Sequence, residues 1–460
     1  MSASNAKRIA LPAGPILALF AGYLMYSTGT PPAAAITLGI TVICVVWWVF
    51  EPIPIPATSV LPLALLPLLG VLSPQQVAHA YGHPLILLLL GGFILSTALA
   101  RNGAHRRIAL TMVRAFGGSS SRRLVFGFMA ASAVLSMWIS NTATTLMLLP
   151  VALAVLEKAE DPKLATPLLL GIAYAASIGG IGTPIGTPPN VVFMGVYNDL
   201  GLGQIGFADW MSFAVPVVLV LLPIAAVWLT RRLGHQGTVD VPEVGAWQAG
   251  EVRVLLVFAV TAAAWITRSE PFGGWTALLG LAQTNDAMVA LLAVVIMFIV
   301  PDGKGERLLD WETAAEIPWG MLILFGAGLA IAGAFTASGL SQTIGSMLSG
   351  LATLHVLLIM LTICLTVTFL TETTSNTATT TLLMPILAAG AVGAGMPPEL
   401  FMIPAAMSAS CAFMLPVATA PNVIMFSTGR VAIETMAKEG FALNVIGAGV
   451  IATLCFLLLT

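Results

Sequence analysis

Charge is scarce in this chain. Asp, Glu, Lys and Arg supply 8% of its 460 residues, where an average soluble domain carries roughly a quarter, and the shortage excludes an ordinary water-soluble globule. The few charges nearly cancel, at a formal −2 and a pI near 6.2, which gives no sign of nucleic-acid binding. Cysteine is sparse too: Cys44, Cys364, Cys411 and Cys455 sit in apolar surroundings without C-x-x-C spacing, which removes a disulfide framework and a zinc site. His79, His83, His105, His235 and His355 are scattered without partners at ligand spacing, and read as surface or interfacial groups rather than catalytic ones.

Apolar residues are abundant, at 58% of the chain, and fall in runs of membrane-span length. Candidate spans lie at about 9–26, 33–50, 54–72, 84–100, 166–182, 211–230, 252–267, 287–300, 317–335, 399–416 and 440–459. These eleven predict an all-α integral membrane protein with its termini on opposite faces. No cleavable signal is evident: Lys7 and Arg8 precede an apolar stretch long enough to be a first span, within residues 1–32. With the N-terminus in the cytoplasm and the C-terminus outside, only Arg268 among the loop Lys and Arg residues falls outside, in accord with the positive-inside rule. The expected location is the inner (plasma) membrane, crossed many times.

Between these spans one hexapeptide occurs twice. Ser140-Asn141-Thr142-Ala143-Thr144-Thr145 returns as Ser375-Asn376-Thr377-Ala378-Thr379-Thr380, with Ser136 answered by Thr371 and Pro150 by Pro385. The apolar arms around each copy run only 11 to 16 residues. At about 1.5 Å of rise per residue, none comfortably crosses a hydrocarbon core of about 30 Å, so each copy predicts a re-entrant helical hairpin broken at its polar tip. Ser, Asn and Thr satisfy the orphan N–H groups of a helix start, and backbone freed at the membrane midplane survives only when buried in protein or lining a cavity.

The basic residues separate the hairpins. Arg122, Arg123, Lys158 and Lys163 flank the first, whereas no Lys or Arg occurs between Arg307 and Arg430 around the second. The expectation is therefore an inverted repeat. Residues 33–235 form the first half, with a cytoplasm-facing hairpin at about 122–158. Residues 236–460 form the second, with an outside-facing hairpin at about 354–395. Gly91-Gly92 before the first hairpin corresponds to Gly326-Ala327 before the second, where small residues let helices approach. After each hairpin comes a second interrupted stretch, Ile181 to Asn190 and Met414 to Asn422, with Thr187 and Asn190 matched by Thr419 and Asn422 and a proline before each Asn. Proline cannot continue a helix interior, so both spans should unwind there.

Four polar clusters then converge near midplane, offering hydroxyls, amides and backbone with almost no charge. Such oxygens suit a small hard cation such as sodium, and N–H groups at helix starts suit an anion. Bound cations beside the anion would supply the positive charge that no Lys or Arg provides, which gives coupling a simple origin. Glu372 is the one carboxylate beside a tip, and two roles stand open for it: an ionisable group of the site, or a hydrogen-bonding group within the hairpin. Glu51 reads as a helix end that fixes a turn, and the Arg101 to Arg123 run as an interfacial segment snorkelling to headgroups. A hydrolase would need a base beside the hydroxyls, and no His, Lys or Asp lies in or beside the tips, so the chain is not read as an enzyme.

At these residues the chain resembles the divalent anion:sodium symporter family, whose members carry C4-dicarboxylates, citrate or sulfate. The Ser-Asn-Thr motifs and the stretch from Ser410 to Asn422 carry the resemblance, which runs over nearly the whole length. It implies scaffold and transport domains interleaved across both halves, a homodimer, and elevator-type alternating access in the lipid bilayer. It further implies one sodium site at Ser136, Ser140, Asn141 and backbone near Gly186, and another at Thr371, Thr374, Asn376 and backbone near Ala418. The substrate carboxylates would meet Asn141, Thr142, Thr187, Asn376, Thr377 and Thr419. Thr374 replaces a commonly small apolar residue, and Ala420 stands where many members have proline. The expected function is sodium-coupled import of a succinate-like dicarboxylate, the alternatives being a sodium-independent dicarboxylate exchanger or a citrate or sulfate carrier.

Overall fold

The computed structural model describes residues 3–116, 120–159, 161, 163–233, 245–269, 273–281, 283–348 and 354–460. His235 and the expected boundary between the halves lie outside these. Every named element is helical, and strand-like pairing among the described residues is one isolated bridge between Pro301 and Arg307. Among the described residues seven helices are long and apolar enough to cross a membrane, and five shorter apolar ones accompany them. The all-α class with helices broken in mid-span is therefore the observed one.

The eleven expected spans all fall on helices, with three departures. The span at 54–72 is two pieces, Ile55–Thr58 and Leu61–Leu68, each with a proline in its first turn. The span at 84–100 is Pro84–Arg101, preceded by a helix Pro74–Tyr81 that a Ser73/Gln76 capping box starts. The span at 399–416 is helical only over Glu399–Ser408; residues 409–415 are irregular, and a single 3-10 turn, Pro416–Ala418, precedes the short helix Ala420–Phe426. The unwinding expected from Met414 onward is there but starts earlier, and hydropathy missed that earlier part because Ala409, Cys411, Ala412 and Phe413 are apolar and fully buried, whatever their backbone does.

Both hairpins form. The first joins arms Ser121–Ser136 and Asn141–Lys158; the second joins Val356–Thr371 and Asn376–Gly393. The interfacial run becomes the amphipathic helix Ala104–Phe116, and a counterpart before the second hairpin, Leu340–Leu348, was not legible in the sequence. The paired glycines do permit close approach: a methyl on Gly91 would lie 2.6 Å from Ala290 Cβ, and one on Gly326 would lie 2.3 Å from the ring of Tyr81. Glu51 ends the helix Pro32–Phe50 at φ 47°, the one non-glycine residue in the left-handed region among those described, and so makes the turn expected of it.

His83 corrects an expectation. It is buried rather than superficial; its Nδ1 accepts from the Leu85 N–H, and its Nε2 lies 3.1 Å from Asp199 Oδ1. The helix Ala3–Ser27 packs on Pro32–Phe50 and keeps Ile16, Leu19, Phe20 and Tyr23 exposed, the apolar surface of an element built for lipid or for another protein.

Candidate substrate and cation site

The hairpin tips are built alike, from the helix starts outward. Ser140 and Ser375 are N-caps, accepting from the Ala143 and Ala378 N–H groups at 3.2 and 3.5 Å. One turn on, Thr145 and Thr380 hydroxyls donate to the carbonyls of Asn141 and Asn376 at 2.7 and 2.8 Å. The last residue of each first arm closes the tip, Ser136 Oγ donating to Asn141 Oδ1 at 2.5 Å and Thr371 Oγ1 to Asn376 Oδ1 at 2.6 Å. Most of the repeated hexapeptide therefore opens the second arm as helix, and the actual break lies just before it, at Met137–Ser140 and Glu372–Ser375.

The unwound segments are likewise twins, each held by one buried asparagine. Asn190 Nδ2 donates to the carbonyls of Gly180, Ile181 and Thr183 at 3.0, 3.2 and 2.7 Å. Asn422 Nδ2 donates to those of Ala412 and Leu415, both at 3.0 Å. Thr183 O and Leu415 O also accept i+3 bonds from the Gly186 and Ala418 N–H groups; for the Gly180, Ile181 and Ala412 carbonyls the amide takes over where the helical ladder stops. The sequence displayed both asparagines, but the stapling role needs the fold to appear.

Glu372 takes a hydrogen-bonding role, but toward the second break and the last helix rather than within its hairpin. Its carboxylate is buried and accepts from the Met414 and Leu415 N–H groups at 2.8 and 2.9 Å and from Asn444 Nδ2 at 2.7 Å. The two breaks also touch each other. The Tyr174 hydroxyl donates to the Phe413 carbonyl at 2.6 Å, and Ser410 Oγ to Thr187 Oγ1 at 3.4 Å.

The four elements surround one cavity of about 740 Å³. Asn141, Thr142, Thr187, Asn376, Thr377 and Thr419 all line it, as do Ser140, Gly186, Thr374 and Ala418. Ser136 and Thr371 do not; fully buried, they stand behind the tips. Thr374 spends its hydroxyl inside the hairpin, donating to Leu370 O at 2.9 Å and sharing a 2.6 Å hydrogen bond with Thr379. Phe93 on the helix Pro84–Arg101, and Met321 with the N-cap Pro318 of the helix Trp319–Ala337, close the cavity from outside the hairpins, and no local signal had marked them. The charged lining residues are Lys7 and Glu51, 3.9 Å apart, so the polar interior carries hydroxyls, amides and helix starts without a charge of its own.

Behind the first tip, oxygens crowd together. A methyl on Gly180 would lie 2.8 Å from Asn141 Oδ1 and 3.2 Å from the Gly186 carbonyl, and one on Gly186 would lie 2.5 Å from Gly180 O and 3.0 Å from Ser136 O. A neutral, all-oxygen donor set of this kind matches a hard cation and nothing softer.

Residues 45–399 match the family described as citrate transporter, CitMHS. A sodium-dependent dicarboxylate transporter, SdcS, of Staphylococcus aureus strain MRSA252 is 40% identical across 97% of this chain and 90% of its own length. The chain belongs to the divalent anion:sodium symporter family. SdcS of Staphylococcus saprophyticus is 39% identical over the same shares of both chains. The crystal structure of the Alcanivorax borkumensis YdaH transporter shares the fold, with a TM-score of 0.58 at 15% identity over 85% of this chain and 87% of that one. Membership makes the protein a multi-pass membrane transporter rather than an enzyme.

Proposed function

We propose that this symporter imports a small, succinate-like dicarboxylate across the plasma membrane together with sodium. The observation that carries the reading is the meeting of both Ser-Asn-Thr tips and both unwound segments in one cavity that lacks its own positive interior. Asn141, Thr142 and Thr187 face one carboxylate, and Asn376, Thr377 and Thr419 the other. Helix starts contribute at most about 2 kcal/mol each toward an anion. A cation roughly 5 Å away contributes about 3 kcal/mol per unit of substrate charge at an effective dielectric near 20, and so about 6 kcal/mol for a dianion. The cations outweigh the dipoles, so the dianion binds well only after sodium does.

The first sodium is assigned to Ser136, Ser140, Asn141 and the Gly186 carbonyl, where the oxygens crowd. The second is assigned to Thr371, Asn376 and the Ala418 backbone, with Thr374 shaping the tip rather than reaching the ion. The bonds joining Tyr174 to Phe413, Thr187 to Ser410 and Glu372 to the second break support a transport domain that moves as one body, in an elevator motion against a scaffold containing Phe93, Pro318 and Met321. Lys7 and Glu51 at the rim support a state open toward the side of the N-terminus, cytoplasmic by the charge distribution. The inverted halves 33–235 and 236–460 and the homodimer belong to the same reading, and the exposed face of Ala3–Ser27 is available to a second copy.

Uptake of labelled succinate into proteoliposomes, with and without an inward sodium gradient, tests the proposal. Asn141→Ala and Asn376→Ala should each abolish uptake while leaving expression unchanged; undiminished uptake by both variants defeats the site assignment. An exchanger would ignore sodium and require internal dicarboxylate. The family description names citrate, so unlabelled citrate is the first competitor to add.

A further inference from the structure

A second cavity, of about 610 Å³, shares no lining residue with the cargo site. One wall is basic: Arg122 and Arg123 open the first hairpin arm, and Arg231 follows the helix Phe207–Thr230. The other is apolar, made by Ala115, Phe126 and Val227. The arginines differ in how their charge is met. Arg231 is clamped by Glu439 at 2.8 and 2.9 Å and lies 4.0 Å from the centroid of the Trp228 ring. Arg122 instead donates to neutral carbonyls, Leu233 O at 3.2 Å and Arg231 O at 3.4 Å, so its positive charge meets no carboxylate among the described residues. Val227 is 69% exposed at the rim, on the outer face of an apolar helix of span length.

We propose that this cavity binds the phosphodiester headgroup of an anionic membrane lipid. The phosphate sits on the Arg122 and Arg123 guanidinium groups, whose planar forks pair with its non-bridging oxygens, and an acyl chain runs out over Phe126 and Val227. A free phosphate satisfies the arginines but leaves the apolar wall wet, and a zwitterionic lipid brings its own cation to an already basic wall. Because the cavity joins the amphipathic helix Ala104–Phe116 to the start of the first hairpin arm, the bound lipid ties the interfacial helix to the base of the moving hairpin.

The test uses the full-length protein purified in neutral detergent, with phosphatidylglycerol, phosphatidylcholine or inorganic phosphate added at matched concentration. Thermal unfolding by tryptophan fluorescence and lipid retention by native mass spectrometry are read in parallel. Phosphatidylglycerol should raise the unfolding temperature and stay bound, whereas the other two should do neither. The Arg122→Gln/Arg123→Gln double variant should bind phosphatidylglycerol about thirtyfold more weakly, from roughly one headgroup-strength interaction per arginine. Loss of the Arg122 carbonyl bonds could itself unsettle that variant, so Val227→Glu, which leaves every arginine in place and adds a negative rim, is the companion; about a fivefold loss is expected. Equal stabilisation by phosphatidylcholine, an equal shift from inorganic phosphate, or full phosphatidylglycerol preference in a folded Val227→Glu protein would each overturn the proposal.

Discussion

In the first half of the molecule, Thr183 reaches from the unwound segment to the carbonyl of Met137 in the hairpin turn; in the second half the reach is reversed, and Glu372 in the turn accepts the N–H groups of Met414 and Leu415. The paired positions correspond, Met137 with Glu372 and Thr183 with Leu415, so one junction is made twice with its polarity exchanged. What the halves share is contact between turn and break; which side supplies the side chain is free to vary. The second half runs the larger risk, since a buried carboxylate must keep every one of its donors, whereas a hydroxyl needs one. A second contrast follows the same line. Gly180 and Gly186, pressed against the first tip, are answered by Ala412 and Ala418 behind the second, so the second junction accommodates Cβ atoms that the first cannot.

These contrasts can be broken experimentally. The largest effect is expected from Glu372→Gln, which trades charge-assisted bonds for neutral ones and sets an amide NH₂ against backbone N–H groups; a loss of about 3 kcal/mol should appear as a clear drop in unfolding temperature and in transport. Unchanged stability would mean that the carboxylate is not the anchor. Next, Gly186→Ala drives a methyl into the crowded oxygens, and the sodium concentration for half-maximal uptake should rise by about tenfold or more, for roughly 1.4 kcal/mol of lost cation affinity. Ala418→Gly, its mirror, should change that value by less than about twofold, and a comparable shift in both would erase the distinction between the halves. Below the effect of Gly186→Ala comes Thr183→Val, which removes one neutral hydrogen bond and should cost about 1 kcal/mol in equilibrium unfolding with sodium dependence retained.

Much of this architecture was legible in the residues. Arms too short to span and tips made of N-cap residues translate into broken helices through local rules of length and capping. The partner of Glu372 was not legible, because Asn444 lies far along the chain and only packing makes them neighbours. Nor was the extent of the second break, where buried apolar side chains conceal an irregular backbone. Phe93, Pro318 and Met321 look like any other membrane-helix residues until the cavity is closed around them.

By itself, then, the order of amino acids determined that the chain is helical, membrane-bound, duplicated and broken in matched places, since each of those properties is set by neighbours within a few turns. The tertiary structure alone decided that the four breaks share one cavity, that Asn190 and Asn422 replace the missing ladder bonds, and that a carboxylate ties turn to break. The reason is physical: backbone groups freed inside a membrane must find partners, and where those partners are remote in sequence only the packed molecule can name them.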